Sequence, residues 1–280
     1  MILLISNKES YASQRLLEEL QNAGCKAVAF SVNELFESKN KLDIRKFSVL
    51  YVRNVFCNQS PQYLPQVVEL AKSFIKDGKK VVDENIAVGF LALGKWEDYK
   101  KLKAAGILMP ETRVILDDAI FENLNKTPWV LKWVYGMKAR HVYLVHDLAQ
   151  LKKIYAKYPK GELLLQQYIP ADYEYKVITV GYKALPKVIR FDISSACGQN
   201  KFKIDYKSGK ALDAKDINPH IIELAEKAAA VLGRELSKVD ILERQGQCFV
   251  LEVNRNPGFS SFEKISKFNV AKEFVRYLQK

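Results

Sequence analysis

The stretch that most constrains this chain runs from Lys238 to Gly258. Lys238-Val239-Asp240-Ile241-Leu242 is apolar around one acid, and Gln245-Gly246 supplies a turn. Phe249-Val250-Leu251-Glu252-Val253-Asn254-Arg255-Asn256-Pro257-Gly258 then alternates, so the pattern predicts a β-hairpin. Strict alternation puts Phe249, Leu251 and Val253 on one face and Val250, Glu252 and Asn254 on the other. For Asp240 to share the face of Glu252 and lie opposite it, the loop needs an odd number of residues. A three-residue loop, Gln245 to Gln247, meets that condition. Three oxygen-bearing side chains at a strand end, with neither Cys nor His, suit a hard cation such as Mg²⁺ completed by phosphate. Solvated acids beside a turn have the same spacing, so the remainder of the chain must decide between the two.

The 280 residues are enough for a substantial core divided into two or three lobes. A 48% hydrophobic fraction places the chain among globular proteins. No run of 18 apolar residues occurs, and Met1-Ile2-Leu3-Leu4-Ile5-Ser6 is too short for a signal core, which implies a soluble, cytoplasmic protein with no membrane partner. Cys25, Cys57, Cys197 and Cys248 form no CxxC, and His141, His146 and His220 form no HxxxH or HExxH, which argues against zinc and against a disulfide framework. The net charge of +12 favours an anionic partner; nucleotide, nucleic acid, anionic lipid and acidic peptide all qualify. The lysines are spread along the chain, so a solvated basic surface accounts for them equally well.

Residues 1 to 92 alternate strand and helix: strands at Ile2–Ser6, Ala27–Phe30, Ser48–Val52 and Val81–Val82, helices at Tyr11–Ala23 and beyond Pro61 to Phe74. Short loops between such elements predict a parallel α/β sheet that binds ligands beyond its strand ends. No GxGxxG follows the first strand. Arg53, ending the third strand, is a candidate for a substrate anion or an exposed loop arginine. A charged helix from Lys95 to Ala105 leads into Gly106-Ile107-Leu108-Met109-Pro110, and another helix is expected near Asp117–Leu124. In the apolar strand Pro128 to Val134, Lys132 needs an anionic partner or an exit to solvent. Lys138 and Arg140 follow it, then a strand at Val142–Val145 and a helix at Asp147–Tyr155. Glu174 and Lys176 share a face of the next alternating strand, residues 182 to 191 form another, and Cys197 to Asp216 reads as a polar loop. Helices at Ile221–Leu232 and Val270–Leu278 complete the pattern.

Taken in order, these motifs resemble the ATP-grasp ligases, and among them the RimK-type glutamate ligases. Val239-Asp240-Ile241-Leu242 followed by Leu251-Glu252-Val253-Asn254-Arg255-Asn256-Pro257-Gly258 is similar to the family's metal-binding close. The resemblance implies a Rossmann-like α/β lobe over residues 1–92, then a two-part ATP-grasp fold over 93–167 and 168–280. It implies that Asp240, Glu252 and Asn254 hold two Mg²⁺ ions, replaceable by Mn²⁺, on the phosphates of ATP. Lys95 and Lys132 would be the two ATP lysines, and Gln166-Gln167-Tyr168-Ile169 the hinge that grips adenine, with Gln167 where glutamate is usual. Glu174 would take the ribose and Lys176, in place of an arginine, the phosphates, with Lys132 and Lys176 catalytic. Arg53, Arg190 and Asn256 are candidates for the substrate. The glycine-rich loop of the family is replaced here by Gly136-Met137-Lys138-Ala139-Arg140-His141, which exchanges backbone contacts for side-chain charge.

The activity so implied is ATP-dependent joining of a carboxylate to an amine through an acylphosphate, with a glutamate-bearing molecule or acidic protein tail as substrate. A homo-oligomer is compatible with the family. Two other readings stand beside it: a nucleotide-binding scaffold with reduced turnover, suggested by the altered loop, and a basic nucleic-acid-binding protein.

Overall fold

The computed structural model describes residues 1–37, 43–53, 61–89, 94–124, 128–134, 141–193 and 208–280, and the account below concerns those residues. The first sheet is built from β1 (Ile2–Ile5), β2 (Ala27–Phe30), β3 (Val49–Val52) and β4 (Lys80–Val82), all parallel in the order β2-β1-β3-β4. Every residue of β1 is buried, as a parallel strand covered on both faces requires. The covering helices include α1 (Tyr11–Asn22), started by the Ser10 side chain, and α3 (Leu64–Lys76), with a short α2 (Val32–Glu37) after β2.

After α4 (Lys95–Ala104) comes a four-stranded antiparallel sheet made of β5 (Thr112–Val114), β6 (Trp129–Trp133), β7 (Val142–Val145) and β8 (Leu163–Gln167), in the order β5-β8-β6-β7. The segment expected as a helix at Asp117–Leu124 is a short 3₁₀ turn, Asp118–Asn123. One face of this sheet packs Trp129, Leu131, Leu163 and Leu165 against α5 (Leu148–Tyr155), forming a core of its own.

The third sheet has β9 (Tyr173–Val180), β10 (Lys183–Asp192), β11 (Lys210–Asp213), β12 (Leu236–Arg244) and β13 (Gln247–Arg255), antiparallel in the order β11-β10-β9-β12-β13. The predicted polar loop thus ends in an edge strand, β11, whose charged residues suit a sheet margin. One face takes the alanine stripe of α6 (Pro219–Val231), where Ala225, Ala228 and Ala229 let the helix approach closely. On the other, Ile178, Val180, Ile189 and Phe191 share a core with β1, α1 and the closing helices α7 (Ser260–Ser266) and α8 (Val270–Leu278). The first and third sheets therefore form one packed body. Among the described residues no helix is long and apolar enough to cross a membrane.

The predicted hairpin is present, but its loop differs. Arg244 pairs with Gln247, so the turn is only Gln245-Gly246, with φ of 50° and 80°, the two positive values a tight hairpin turn needs. The odd residue that brings Asp240 opposite Glu252 lies inside the strand: Ile241 pairs with Val250 and Asp240 with Glu252, leaving Leu251 as a β-bulge. The bulge also corrects the alternation. Val250 and Val253 both join the core under α6, whereas Phe249 and Leu251 pack with Ile169, Ala171 and Leu242.

Both ends of the hairpin are bonded to the first sheet. Asp83, just past β4, accepts from the Glu235 backbone N–H at 2.7 Å and pairs with Arg255 at 3.1 Å, and its own N–H donates to Glu235 at 2.9 Å. The Asp83 and Arg255 side chains are only 1% and 10% exposed, so removing one partner strands a buried charge. Arg255→Ala should lower unfolding stability by about 3 to 5 kcal/mol, measured by urea denaturation; a loss below about 1 kcal/mol would contradict this account of the joint.

Candidate nucleotide and metal site

The pairing registers place the chemistry-bearing residues of the third sheet on one face. Lys176 pairs with Asp240, which pairs with Glu252, and these three form a rung across β9, β12 and β13. The next rung holds Ile178, Lys238 and Asn254, and Glu174 lies two residues from Lys176 on the same face. From the middle sheet, Lys132 and Gln166 lie on the face opposite its α5 core, since Leu131, Trp129 and Leu165 point into that core.

The two faces share a field. Burial pushes the Lys132 ammonium down to about 8, against the pull of Glu252; Lys95 lowers it further. Lys132 is 9% exposed and has no ion-pair partner within 4.0 Å among the described residues. Burial works against ionisation of Glu252, yet Lys95, Lys132 and Lys238 outweigh it and hold the carboxyl down at about 2. Burial raises Glu174, and Lys176 pulls it back. Lys176 Nζ contacts Glu174 Oε1 and lies 3.0 Å from Asp240 Oδ2. Asp240 Oδ1 is buried and accepts no hydrogen bond among the described residues, with Lys238 Nζ 3.9 Å away.

That oxygen set can be tested against the ion the family implies. Among the described residues no three His, Cys, Asp or Glu side chains cluster as a metal site. Two carboxylates and an amide do converge: Asn254 Nδ2 donates to Asp240 Oδ2 at 3.4 Å, and Asp240 lies opposite Glu252. An oxygen-only set with one carboxylate oxygen unsatisfied suits Mg²⁺ with phosphate filling the remaining positions, and does not suit zinc. The residues present fit the group.

The hinge segment lies at the other end of the same face. Gln166 is buried, its amide donating to Thr112 Oγ1 at 3.0 Å, and the Gln167 backbone N–H donates to the Glu111 carbonyl at 2.7 Å. The Gln167 side chain is exposed; Ile169 packs with Ala171 and Leu242, and Tyr168 joins the two. A cavity of about 360 Å³, lined by Gln167, Ile169, Arg244, Gln245, Gln247 and Phe249, opens beside them.

The three residues expected at the substrate either have partners within the protein or lie across the sheet from Lys176. Arg190 pairs with Tyr175, on the α6 side of the sheet, with its guanidinium 4.6 Å from the Tyr173 ring, so the sheet separates it from Lys176. Arg53 is neither an exposed loop arginine nor open to the cleft: it is fully buried, donating to Tyr51 Oη at 2.8 Å and to the Pro257 carbonyl at 3.2 Å. Asn256, at φ 49°, has its amide taken up by Tyr51 Oη at 2.7 Å and the Val52 carbonyl at 2.8 Å. Lys138 lies outside the described residues, and of its loop only His141 is described, donating to or accepting from Tyr158 Oη at 2.6 Å. Lys238 was not anticipated; its sequence signal is its place two residues before Asp240 on one strand, which puts both on one face.

A profile of the RimK-like ATP-grasp domain matches residues 92–278. A probable alpha-L-glutamate ligase of Haemophilus ducreyi is 23% identical over 305 residues, covering 99% of this chain and 98% of the relative. A ribosomal protein bS6–L-glutamate ligase of Shigella boydii is 24% identical over 211 residues, covering 72% and 68%. Among solved structures, the ATP-grasp ligase PsnB, complexed with minimal precursor, Mg and ADP, superposes with a TM-score of 0.76 at 16% identity, covering 99% of this chain and 96% of that one, a likeness of fold. With two-thirds of its length matched by the family profile and an antiparallel sheet pair facing a lysine–carboxylate cleft, the chain belongs to the RimK-like ATP-grasp family of carbon–nitrogen bond-forming ligases.

Proposed function

We propose that this protein joins an amino acid such as glutamate to the carboxylate of an acidic peptide or protein tail, through an acylphosphate. The observation that carries this reading is the rung Lys176–Asp240–Glu252 facing Lys132 across the cleft. ATP and Mg²⁺ are the family's cofactors. Bound there, Mg²⁺-ATP supplies the phosphoryl group, and Asp240, Glu252 and Asn254 are the residues that would hold two ions. The substrate carboxylate takes the γ-phosphoryl group, ADP leaves, and an amine then displaces phosphate to form the amide.

The chain's own contribution is positioning and charge balance. Lys95 and Lys132 neutralise the phosphates, Lys238 supports the same field, and Glu174 receives the ribose. The apolar cluster of Ile169, Leu242, Phe249 and Leu251 takes the base beside the 166–169 hinge. No side-chain nucleophile is needed, because phosphorylation itself provides the leaving group. The lobes 1–92, 93–167 and 168–280 would divide the work between acceptor, nucleotide and metal. The net charge of +12 supports an acidic substrate. The name of the Shigella relative, a ribosomal protein bS6–L-glutamate ligase, supports a protein acceptor and glutamate as the amino acid.

A panel of amino acids and acidic peptides, screened for ADP release with Mg²⁺-ATP, tests the reading. Turnover by the wild type should fall roughly 10²-fold or more in Glu252→Ala; unchanged turnover would refute the site. ATP binding with no turnover across the panel would favour the scaffold reading that the substituted 136–141 loop suggests.

Lys132 makes the nucleotide affinity pH-dependent. Its ammonium is intact below about 8 and is lost as the pH rises through that value. ATP affinity should therefore weaken on the alkaline side, by at most about tenfold per pH unit. Lys132→Met should bind weakly and without that slope; an identical slope in the variant would remove Lys132 from the phosphate site.

A further inference from the structure

Glu174, Lys176 and Asp240 form a buried triad whose side chains are 8%, 7% and 7% exposed. Glu252 adds a third carboxylate beside Asp240. Carboxylates on two neighbouring rungs of one sheet face, Asp240 and Glu252 on one and Glu174 on the next, cannot remain ionised without nearby positive charge. Lys132 carries such charge but makes no ion pair within 4.0 Å among the described residues, and Lys238 Nζ is 3.9 Å from Asp240. Lys176 is different: its ammonium lies between Glu174 and Asp240, 3.0 Å from Asp240 Oδ2, on the oxygen that Asn254 also approaches. The other oxygen, Oδ1, is left without a hydrogen bond among the described residues.

We propose that Lys176 is a tethered stand-in for the divalent cation. In the nucleotide-free protein its ammonium neutralises Asp240 and holds that side chain in place. A free divalent ion then meets a carboxylate already compensated, and binds poorly. When nucleotide phosphates enter, they offer the ammonium a new anionic partner, and its flexible four-carbon stem allows the exchange. Asp240 is thereby released to the ion that arrives with the nucleotide. Lys176 is in this sense a positioning residue that sets the order of loading, nucleotide with metal and not metal first. The proposal rests on the reading of Asp240 and Glu252 as ion ligands.

Binding of Mn²⁺ alone, measured by titration calorimetry without nucleotide, tests it. The wild type should bind weakly, and Lys176→Met at least about tenfold more tightly, because an uncompensated carboxylate cluster then faces the ion. Lys132→Met removes one positive charge from the same cleft without touching Asp240, and should tighten Mn²⁺ by no more than about threefold through the screened field. An equal gain in both variants, or none in Lys176→Met, overturns the stand-in role. Should Lys176→Met fail to fold without Mn²⁺, the charge-balanced pair Glu174→Gln/Lys176→Met carries the measurement, with the same expected gain. Mn²⁺ titrated into the wild type with a non-hydrolysable ATP analogue separates the two readings. No binding there refutes the ion site itself, whereas binding there with an unchanged Lys176→Met affinity refutes only the stand-in.

Discussion

The arrangement of the cleft depends on buried polar bonds between segments some 150 to 200 residues apart in sequence. Asp83 ties the start of β12 and the end of β13 to the carboxyl end of β4. Arg53 and Tyr51 do the same for Asn256 and Pro257 as the chain leaves β13. Each bond satisfies a group that burial would otherwise penalise by several kcal/mol, so the joint can form in essentially one geometry. Burial pushes the Asp83 carboxyl up to about 6, outweighing the pull of Arg255 and of the Glu235 N–H. The hairpin carrying Asp240 and Glu252 is thus clamped at the end opposite its turn.

Within that frame the cleft is a set of opposed charges kept slightly apart. Lys132 and Glu252 influence each other strongly, yet no ion pair within 4.0 Å joins them. A closed salt bridge would satisfy both and leave nothing for a ligand to gain. Held apart, each retains attraction for a charged group inserted between them, and water-poor surroundings strengthen that attraction.

The residues that converge here were legible because their spacing survives without knowledge of the fold: an acid, an amide and a lysine at intervals of two on strands share a face wherever the strands pair. What was not legible has equally physical causes. Parity required an odd residue between Asp240 and Glu252 but could not say whether it sat in the turn or, as Leu251 does, inside the ladder. For Arg190, β10 is apolar on both sides, with Ile189 and Phe191 on one and Val188 on the other, so no polar face in the sequence marks its orientation. Arg53 stands at the end of a strand, where a substrate anion could be held, and nothing local to Arg53 or Asn256 reports another partner. Their actual partners are each other's segments, 203 to 205 positions apart, and no local pattern reports such a contact. The short polar strand β11 escaped for the usual reason that edge strands carry charges in place of a hydrophobic alternation.

The distribution of cores has a mechanical consequence. The first and third sheets share one interior, running from Leu4 and Leu16 through Ile178 to Phe274, and so form a single block. The middle sheet closes its own interior around Leu131 and Leu165. It is attached through the chain on either side of it and by contacts such as that of the Val250 N–H with the Leu108 carbonyl. The separation of Asp240 from Glu252 is then a constant of the molecule, set by a ladder inside the block. The separation of Lys132 from Glu252 spans two interiors, and no strand ladder fixes it. The lysine jaw and the carboxylate anvil of this cleft are therefore held by different cores.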